Sequence, residues 1–216
     1  MFRRSCLLHK TLQNSSFKLK SAKNLKNRSD DQVLFDGDDK LFKDLIKNID
    51  TYFEYGCGKS TEYVYRYTNC NIYSVDTDRS WVKITQQLTN GKKDNRLNID
   101  WIDVGKVEEW GYPITYAKRK YFFNYANNFY KKNYKPDLVL IDGRLRVFCF
   151  LTTLRHAPIG TKIIFDDYTN RPIYHVAEEF SPLLDKCGRQ ALFEVNSKAK
   201  NAINNRTLLS FQNVLF

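Results

Sequence analysis

The sequence contains no run of about 18 consecutive apolar residues, so we expect no helix that crosses a membrane. It also contains no C-x-x-C pair, and its five cysteines are an odd number. That pattern argues against a disulfide framework and against a zinc site, and it favours a reducing compartment. We therefore expect a cytoplasmic protein with one sizeable core, since 42% of its residues are hydrophobic.

Acidic residues are missing from residues 1–29, which contain eight lysines and arginines. This segment therefore holds +8 of the net charge of +11, and the rest of the chain carries only +3. So small an excess argues against nucleic acid as a partner of the folded part. The segment also lacks the apolar core of a secretory signal. We interpret residues 1–32 as a basic, flexible extension or, in a eukaryote, as a transit peptide that directs the protein to an organellar matrix.

The sequence does contain one glycine-rich turn between a predicted strand and a predicted helix. The octet EYGCGKST, from Glu54 to Thr61, ends an apolar strand predicted over residues 51–55 and begins a helix predicted over residues 60–67. A strand, a glycine turn and a helix begin nucleotide-binding α/β folds. Glycines let the backbone turn tightly beside a ligand, and the helix N-terminus favours an anionic or carboxylate-bearing one.

Four interpretations of this octet compete. A phosphate-binding P-loop needs a glycine where Phe53 stands, and a dinucleotide loop of the form G-x-G-x-x-G needs one at Thr61. An ordinary glycine turn explains the octet without any ligand. The shorter E-x-G-x-G loop matches Glu54, Gly56 and Gly58, and its carboxylate suits a cofactor that carries an amino-acid ammonium group.

Acids follow the other predicted parallel strands, at the strand ends where ligands bind in open α/β sheets. Asp76 stands 22 residues after Glu54, and an acid about 20 residues beyond a glycine loop accepts hydrogen bonds from ribose hydroxyls. Asp103 stands near the end of the third predicted strand, where it could accept from an adenine amino group. The acids after the fourth and fifth predicted strands are Asp142, Asp166 and Asp167.

Residues 107–134 interrupt the alternation of strands and helices. Ten of these 28 residues are aromatic, and five are lysine or arginine. We interpret the segment as a lid that binds the acceptor, or as one amphipathic helix that packs on the sheet with a solvated basic face. Interleaved basic and aromatic residues also suit stacked nucleic-acid bases, which we regard as the weakest of the three interpretations.

The predicted elements together indicate an α/β fold over residues 33–216. Helices are predicted from Asp38 onward, around Trp81, over residues 144–156 and from Pro172 to about Lys186. Strands are predicted over residues 51–55, 71–75, 97–104, 137–141, 161–165, 191–195 and 207–216, and the last two would form an antiparallel pair. We therefore expect a Rossmann-like seven-stranded sheet, mostly parallel with a closing antiparallel hairpin, and helices on both faces.

These motifs together resemble those of the class I S-adenosylmethionine (SAM)-dependent methyltransferases. The residues that carry the resemblance are EYGCGKST from Glu54, SVDTD from Ser74 with Trp81, and the closing hairpin. More narrowly, WGYP from Trp110, PDLVLIDGR from Pro136, and DDY from Asp166 followed by Arg171-Pro172 resemble a group of small O-methyltransferase-like proteins. The resemblance covers roughly residues 35–216.

The resemblance implies SAM as the cofactor and the O-methylation of a small-molecule acceptor. It implies a SAM site formed by Glu54, Gly56, Gly58, Ser60, Thr61, Asp76, Trp81, Asp103 and Asp142. The candidate catalytic residues, which would take the proton of the acceptor hydroxyl, are Asp142, Asp166 and His175. Two other functions stay open at this point: a non-catalytic binding module with this fold, and an NAD-dependent Rossmann enzyme.

Similarity to the catechol- and caffeoyl-CoA-type O-methyltransferases also implies a divalent metal. In those families, acids after the fourth and fifth strands bind it, and the matching residues here, Asp142, Asp166 and Asp167, offer the oxygen ligands that Mg²⁺ prefers. This sequence departs from that pattern because two arginines follow Asp142 closely. They would replace the charge of the metal or bind an anionic acceptor. The candidate acceptor-binding residues are Arg144, Arg146, Trp110 and Tyr112.

Overall fold

A computed structural model describes residues 34–35, 38–89 and 95–215. The predicted extension, residues 1–32, and most of a predicted polar loop, residues 90–94, lie outside these ranges. Within them, seven strands form one sheet. Their bounds are β1 Thr51–Tyr55, β2 Asn71–Asp76, β3 Leu97–Trp101, β4 Leu138–Ile141, β5 Lys162–Phe165, β6 Asp185–Cys187 and β7 Gln190–Glu194.

The strands are arranged in the order β3-β2-β1-β4-β5-β7-β6. The first five run parallel, whereas β7 pairs antiparallel with both β5 and β6. The strand order therefore reverses between β1 and β4, and the crevice at the carboxyl ends of such strands is where α/β sheets bind ligands. This sheet confirms the predicted fold class.

Helices cover both faces of the sheet. Their bounds are α1 Lys40–Leu45, α2 Lys59–Tyr67, α3 Arg79–Leu88, α4 Phe122–Ala126, α5 Arg146–His156, α6 Ser197–Ala202 and α7 Asn205–Phe211. The core clusters on the two faces take alternate residues of β1, with Phe53 and Tyr55 on the α5 face and Tyr52 on the α1 face. None of the helices described has the length and apolar character needed to cross a bilayer.

The central strand β4 and the helix that follows it form the most buried part of the molecule. All four residues of β4 are buried, which explains why its sequence is a continuous apolar run rather than an alternating one. In α5, every residue from Arg146 to Leu154 is buried, including the arginine. A buried cation needs partners, and the ends of β4 and β5 provide them.

The closing hairpin consists of β6 and β7, so the predicted pairing of residues 191–195 with residues 207–216 is wrong. The second of these runs forms α7 instead, over Asn205–Phe211. The helix begins there because the Asn204 side chain accepts a hydrogen bond from the Thr207 N–H at 3.0 Å and caps its first turn. The apolar composition of the run does not distinguish a buried helix from a strand.

The helix predicted from Pro172 to about Lys186 is wrong beyond Glu179. A 3₁₀ helix spans Pro172–Glu179, and β6 begins at Asp185. Pro182 lies between them, and it disfavours helical backbone in the residue before it and lacks the N–H that a helix needs. Gly188 does not end a helix; it lies in the turn between β6 and β7 at a φ of +56°.

Candidate functional site

The glycine loop after β1 lies against the end of β4. Gly56, at a φ of +93°, is so close to Gly143 that an added Cβ would lie 2.8 Å from the Gly143 Cα. A Cβ at Gly143 would lie 2.9 Å from the Gly56 nitrogen and 2.1 Å from the Tyr125 hydroxyl. Both positions therefore need glycine. At Gly58, by contrast, an added Cβ would meet no described atom within 4 Å, so packing does not explain that glycine.

Glu54 lies buried beneath the loop. Its carboxylate accepts hydrogen bonds from the Tyr52 hydroxyl at 3.2 Å and from the Ser74 hydroxyl at 3.1 Å. The Ser60 and Thr61 hydroxyls, in the first turn of α2, donate to it as well. Burial raises the pKa of Glu54 to about 7, because the loss of hydration outweighs the four hydroxyl donors. Glu54 therefore fastens the start of α2 to the sheet.

Asp76, the last residue of β2, joins the end of that strand to the glycine loop. Its carboxylate accepts the Cys57 N–H at 3.0 Å and the Asp78 N–H at 2.6 Å. Burial raises the pKa of Asp76 to about 6 despite these two donors. The predicted cofactor residues Gly56, Gly58 and Asp76 thus lie together at one strand end.

Two tryptophans border this end of the crevice. The rings of Trp81 and Trp110 are nearly parallel, with centroids 6.5 Å apart and an interplanar angle of 15°. The Thr77 hydroxyl donates to the Gly111 carbonyl at 2.8 Å, which holds the Trp110 turn beside β2. Trp110 is 60% exposed and has a φ of +60°. The sequence assigned Trp81 to the cofactor and Trp110 to the acceptor, yet the structure brings the two rings together.

Asp103 lies just beyond β3 and forms contacts with the segment that follows it. Lys118 forms an ion pair with its carboxylate at 2.5 Å, and this donor lowers the Asp103 pKa. The Gly105 N–H donates to the same carboxylate at 3.0 Å. In this structure, Asp103 therefore anchors the aromatic segment at residues 107–134.

The aromatic segment is not one amphipathic helix. It consists of α4 and three short 3₁₀ helices at Glu109–Gly111, Arg119–Tyr121 and Tyr130–Lys132. Trp110 and Gly111, both at positive φ, interrupt the helical geometry near its start, and Asn133, also at positive φ, ends its last 3₁₀ helix. Its buried aromatic residues pack into the core over β1, where the Tyr55 hydroxyl donates to the Ala126 carbonyl at 2.6 Å. Its exposed apolar residues are Trp110, Ile114, Tyr116, Tyr121 and Phe123.

The three acids predicted to bind a metal do converge. Asp142, Asp166 and Asp167 offer carboxylate oxygens that lie within 4.8 Å of one another at the ends of β4 and β5. Asp166 is fully buried, whereas the Asp142 side chain is 29% exposed. Burial raises the pKa of Asp142 well above its ordinary value, and the neighbouring Asp166 charge raises it further.

Arg146 fills the space between these acids. Its guanidinium donates to the Gly143 carbonyl at 3.0 Å, the Asp166 carbonyl at 2.6 Å and the Asp142 carbonyl at 3.1 Å. It also forms ion pairs with the Asp142 and Asp167 carboxylates, both at 3.1 Å. Four of these five contacts are hydrogen bonds, and the contact with Asp167 is an ion pair. Arg146 therefore joins the ends of β4 and β5, and its buried guanidinium is engaged with the protein rather than with an acceptor molecule.

Two further arginines complete the cluster. Arg189, in the turn before β7, forms an ion pair with Asp166 at 2.6 Å and one with Asp167 at 3.4 Å. Arg171 forms an ion pair with Asp167 at 2.9 Å. The sequence analysis gave neither arginine a role in the site: Arg171 entered only through the resemblance, and the hairpin that carries Arg189 was assigned to other residues.

In the arrangement that the structure shows, the acid cluster does not fit a metal ion. Three carboxylates face three guanidinium groups, so the charge that a divalent ion would neutralise is already neutralised. Arg146 also forms ion pairs with two of the three carboxylates, those of Asp142 and Asp167. We therefore derive no step from Mg²⁺.

Arg144 and His175 lie beside the cluster without joining it. Arg144 is half-buried, and its guanidinium makes neither a hydrogen bond nor an ion pair with any residue that the structure describes. Burial and the positive charge of Arg146 lower its pKa. His175 is exposed on the 3₁₀ helix after β5, with its Nε2 3.2 Å from the Tyr168 carbonyl oxygen.

No protein-family model matches the sequence, and no curated protein sequence is significantly similar to it. Solved structures do match. A methyltransferase-like protein from Silicibacter pomeroyi DSS-3 is 28% identical with a TM-score of 0.71, over 80% of this chain and 90% of that one. An O-methyltransferase from Bacillus cereus, solved with SAH, is 13% identical with a TM-score of 0.52, over 84% and 90%. A TehB-like SAM-dependent methyltransferase from Corynebacterium glutamicum is 11% identical with a TM-score of 0.50, over 85% and 97%.

The fold of this chain is that of the class I SAM-dependent methyltransferases, which confirms the resemblance stated from the sequence. The first of these neighbours shares this fold at 28% identity over most of both chains. The other two, at lower identity, show the fold alone.

Proposed function

We propose that the protein is a SAM-dependent methyltransferase that methylates a hydroxyl oxygen of a small molecule. The observation that supports this best is that two kinds of site face each other across the crevice between β1 and β4, where the strand order reverses. On the β1 and β2 side stands the glycine loop with the buried acid Asp76. On the β4 side stands Asp142, the one acid of its cluster with substantial exposure. The first feature suits a nucleoside cofactor and the second suits a proton acceptor.

The residues of the loop fit SAM in their chemistry. SAM would supply a methyl group on a positively charged sulfur, which leaves as a neutral thioether. The backbone from Gly56 to Gly58 would hold its amino-acid end, and Asp76 would accept hydrogen bonds from its ribose. Glu54 would act indirectly, by fixing Ser60 and Thr61 at the start of α2.

The adenine would lie at the tryptophan end of the crevice. Trp81 and Trp110 present flat apolar rings there, and the 107–134 segment would close over the ligand as a lid. Asp103 could accept a hydrogen bond from the adenine amino group only if its ion pair with Lys118 broke first. We therefore assign adenine recognition mainly to the tryptophans and to the backbone around Thr77.

Asp142 is our candidate for the general base. A hydroxyl loses its proton as its bond to the methyl carbon forms, and a carboxylate with a raised pKa takes that proton more readily. Asp166 is less suited, because Arg189 donates to both of its oxygens. His175 is a second candidate, since its ring is exposed and packs against Tyr168 with centroids 4.9 Å apart.

The decisive experiment compares cofactor binding with methyl transfer. Titration calorimetry should show binding of SAM and no binding of NAD, whereas the reverse would indicate an NAD-dependent enzyme. Transfer of a radioactive methyl group from SAM to a panel of small hydroxyl compounds should be lost in Asp142→Asn, while SAH still binds this variant. SAM binding with no transfer to any compound would indicate a non-catalytic binding module.

The compartment belongs to the same proposal. The four cysteines of the described ranges are free thiols, which suits a reducing environment such as the cytoplasm. A fluorescent fusion of the full chain would test this, and accumulation in an organelle would favour the transit-peptide interpretation of residues 1–32.

A further inference from the structure

The two arginines that follow β4 have opposite surroundings. Arg146 is 3% exposed and directs its donors to five acceptors at the ends of β4 and β5. Arg144, two residues earlier, directs its guanidinium to no acceptor in the described part of the chain, and its Nε is buried without a partner. An N–H group that has lost water without gaining an acceptor is costly to keep, so the buried Nε of Arg144 needs an explanation.

The neighbours of Arg144 favour an anionic ligand over a protein partner. The carboxylate of Asp142, two residues earlier, already forms an ion pair with Arg146. The Tyr125 hydroxyl accepts a hydrogen bond from the Arg144 backbone N–H at 3.4 Å. This bond fixes the backbone and does not involve the Arg144 side chain. Burial and the adjacent positive charge of Arg146 both disfavour the charged form of Arg144, and an added negative charge would offset both.

Arg144 also lies close to the proposed base. Asp142 and Arg144 are separated by one glycine at the same strand end, so their Cα atoms are within about 7 Å of each other. A small molecule could therefore place an acid group on Arg144 and a hydroxyl at Asp142 at the same time. The planar fork of a guanidinium binds a carboxylate or a phosphate through two parallel hydrogen bonds, which would also orient the hydroxyl.

We propose that the methyl acceptor is an anion, a small hydroxyl compound with a carboxylate or a phosphate group, and that Arg144 binds this group. The proposal rests on the methyltransferase function proposed above and names the class of its acceptor. Arg144 then serves as a specificity-determining residue, whereas Arg146 holds the strand ends together.

The test uses the full chain loaded with SAH and matched pairs of probes. Calorimetry compares salicylate with salicylamide, lactate with lactamide, and glycerol phosphate with glycerol, so that a carboxylate and a phosphate are tested separately. The wild-type protein should bind at least one acid about tenfold to a hundredfold more tightly than its neutral counterpart, the range expected for a charge-assisted hydrogen-bond pair.

Three variants make the result specific to Arg144. Arg144→Met keeps an apolar stem without the charge and should abolish the preference for acids. Arg144→Lys keeps the charge without the fork and should retain part of it. Arg206→Met removes one positive charge from the exposed surface of α7 and should change nothing. Melting temperatures with SAH would establish that the Arg144 variants are folded, and Arg144→Lys still tests the proposal if Arg144→Met is not.

The outcomes separate this proposal from the function on which it rests. Equal affinity for acids and neutral counterparts, no binding of any acid, or a preference that survives in Arg144→Met would overturn the acceptor assignment alone. Failure of the wild-type protein to bind SAH would overturn the proposed function and the acceptor assignment together. A tenfold or larger preference that Arg144→Met loses and Arg206→Met retains is the supporting result.

Discussion

Gly56 and Gly143 pack backbone against backbone at the adjacent ends of β1 and β4, with no space for a side chain on either residue. Gly143→Ala should therefore destabilise the protein, because its Cβ would overlap the Gly56 backbone and the Tyr125 hydroxyl. Overpacking of this kind typically costs about 1–3 kcal/mol. Thermal denaturation should show a lower melting temperature, by about 2–4 °C for each kcal/mol in a chain of this size.

Gly58→Ala is the matched control for that change. Its added Cβ would meet no described atom within 4 Å, so its melting temperature without ligand should equal that of the wild type. Its affinity for SAM should nevertheless fall, because the new methyl group would point into the space that the cofactor needs. If the melting temperature of Gly143→Ala equals that of the wild type, the two strand ends are able to separate at little cost and the packing argument fails.

Asp76→Ala should weaken SAM binding by about 1–3 kcal/mol, the typical cost of leaving polar partners without a hydrogen bond. The ribose hydroxyls would lose an acceptor, and the Cys57 N–H in the glycine loop would lose one too. Titration calorimetry measures the change directly. The exposed acid Asp185, on β6, provides a control, since Asp185→Ala should leave the affinity unchanged. Equal affinities for wild type and Asp76→Ala would remove Asp76 from the cofactor site.

Glu54 should make the protein less stable as the pH rises. Its pKa is about 7 in the folded protein against an ordinary value of 4.5, so the folded state holds this proton more tightly than the unfolded chain does. The stability that results is fully present below about pH 4.5 and is lost as the pH rises to about 7. Glu54→Gln, a neutral side chain that still accepts from the hydroxyls, should remove the part of the fall that Glu54 causes, while the part caused by the raised pKa of Asp76 should remain.

Urea unfolding at a series of pH values between about 4.5 and 8 would measure the effect as a change in unfolding free energy. The exposed residue Glu179 serves as the control, because Glu179→Gln should keep the slope of the wild type. If the unfolding free energy of the wild type and that of Glu54→Gln change equally with pH, the Glu54 carboxyl has the same pKa in the folded and the unfolded protein, and the prediction is wrong.

Arg189→Met should destabilise the protein by about 3–5 kcal/mol, since it would leave Asp166 charged and buried without its ion-pair partner. Adding Asp166→Asn to the same chain should recover part of the loss by removing the unpaired charge. Unfolding in urea provides both values. Mg²⁺ and EDTA should leave the wild-type melting temperature unchanged, and a clear rise with Mg²⁺ would contradict our interpretation of the cluster as a closed ion-pair network.

The parallel half of the fold was predictable because its signals are local. A buried apolar strand followed by an acid recurs at β2, β4 and β5, and the glycine loop marks β1. The antiparallel end was not predictable in detail, because residues 207–216 are apolar enough for either a strand or a buried helix. Only the cap at Asn204 distinguishes the two, and a single asparagine is a weak signal within a polar stretch.

The candidate site was predictable in its residues and less so in their contacts. The acids at the strand ends converge as their positions imply. No pattern in the sequence distinguishes Arg146, whose guanidinium binds oxygens of the acid cluster, from Arg144, whose guanidinium binds none in the described part of the chain. Leu145, between the two arginines, has a left-handed φ of +55°, which the residue type does not predict.

All three tryptophans of the chain border one turn of the backbone. Trp110 is stacked beside Trp81, its neighbour Gly111 accepts from the Thr77 hydroxyl, and the Trp101 Nε1 donates to the Thr77 carbonyl at 3.1 Å. The indole fluorescence of the protein therefore originates around the proposed adenine position. The molecule consequently carries an intrinsic optical probe, with which occupancy of the crevice can be followed in solution without any label.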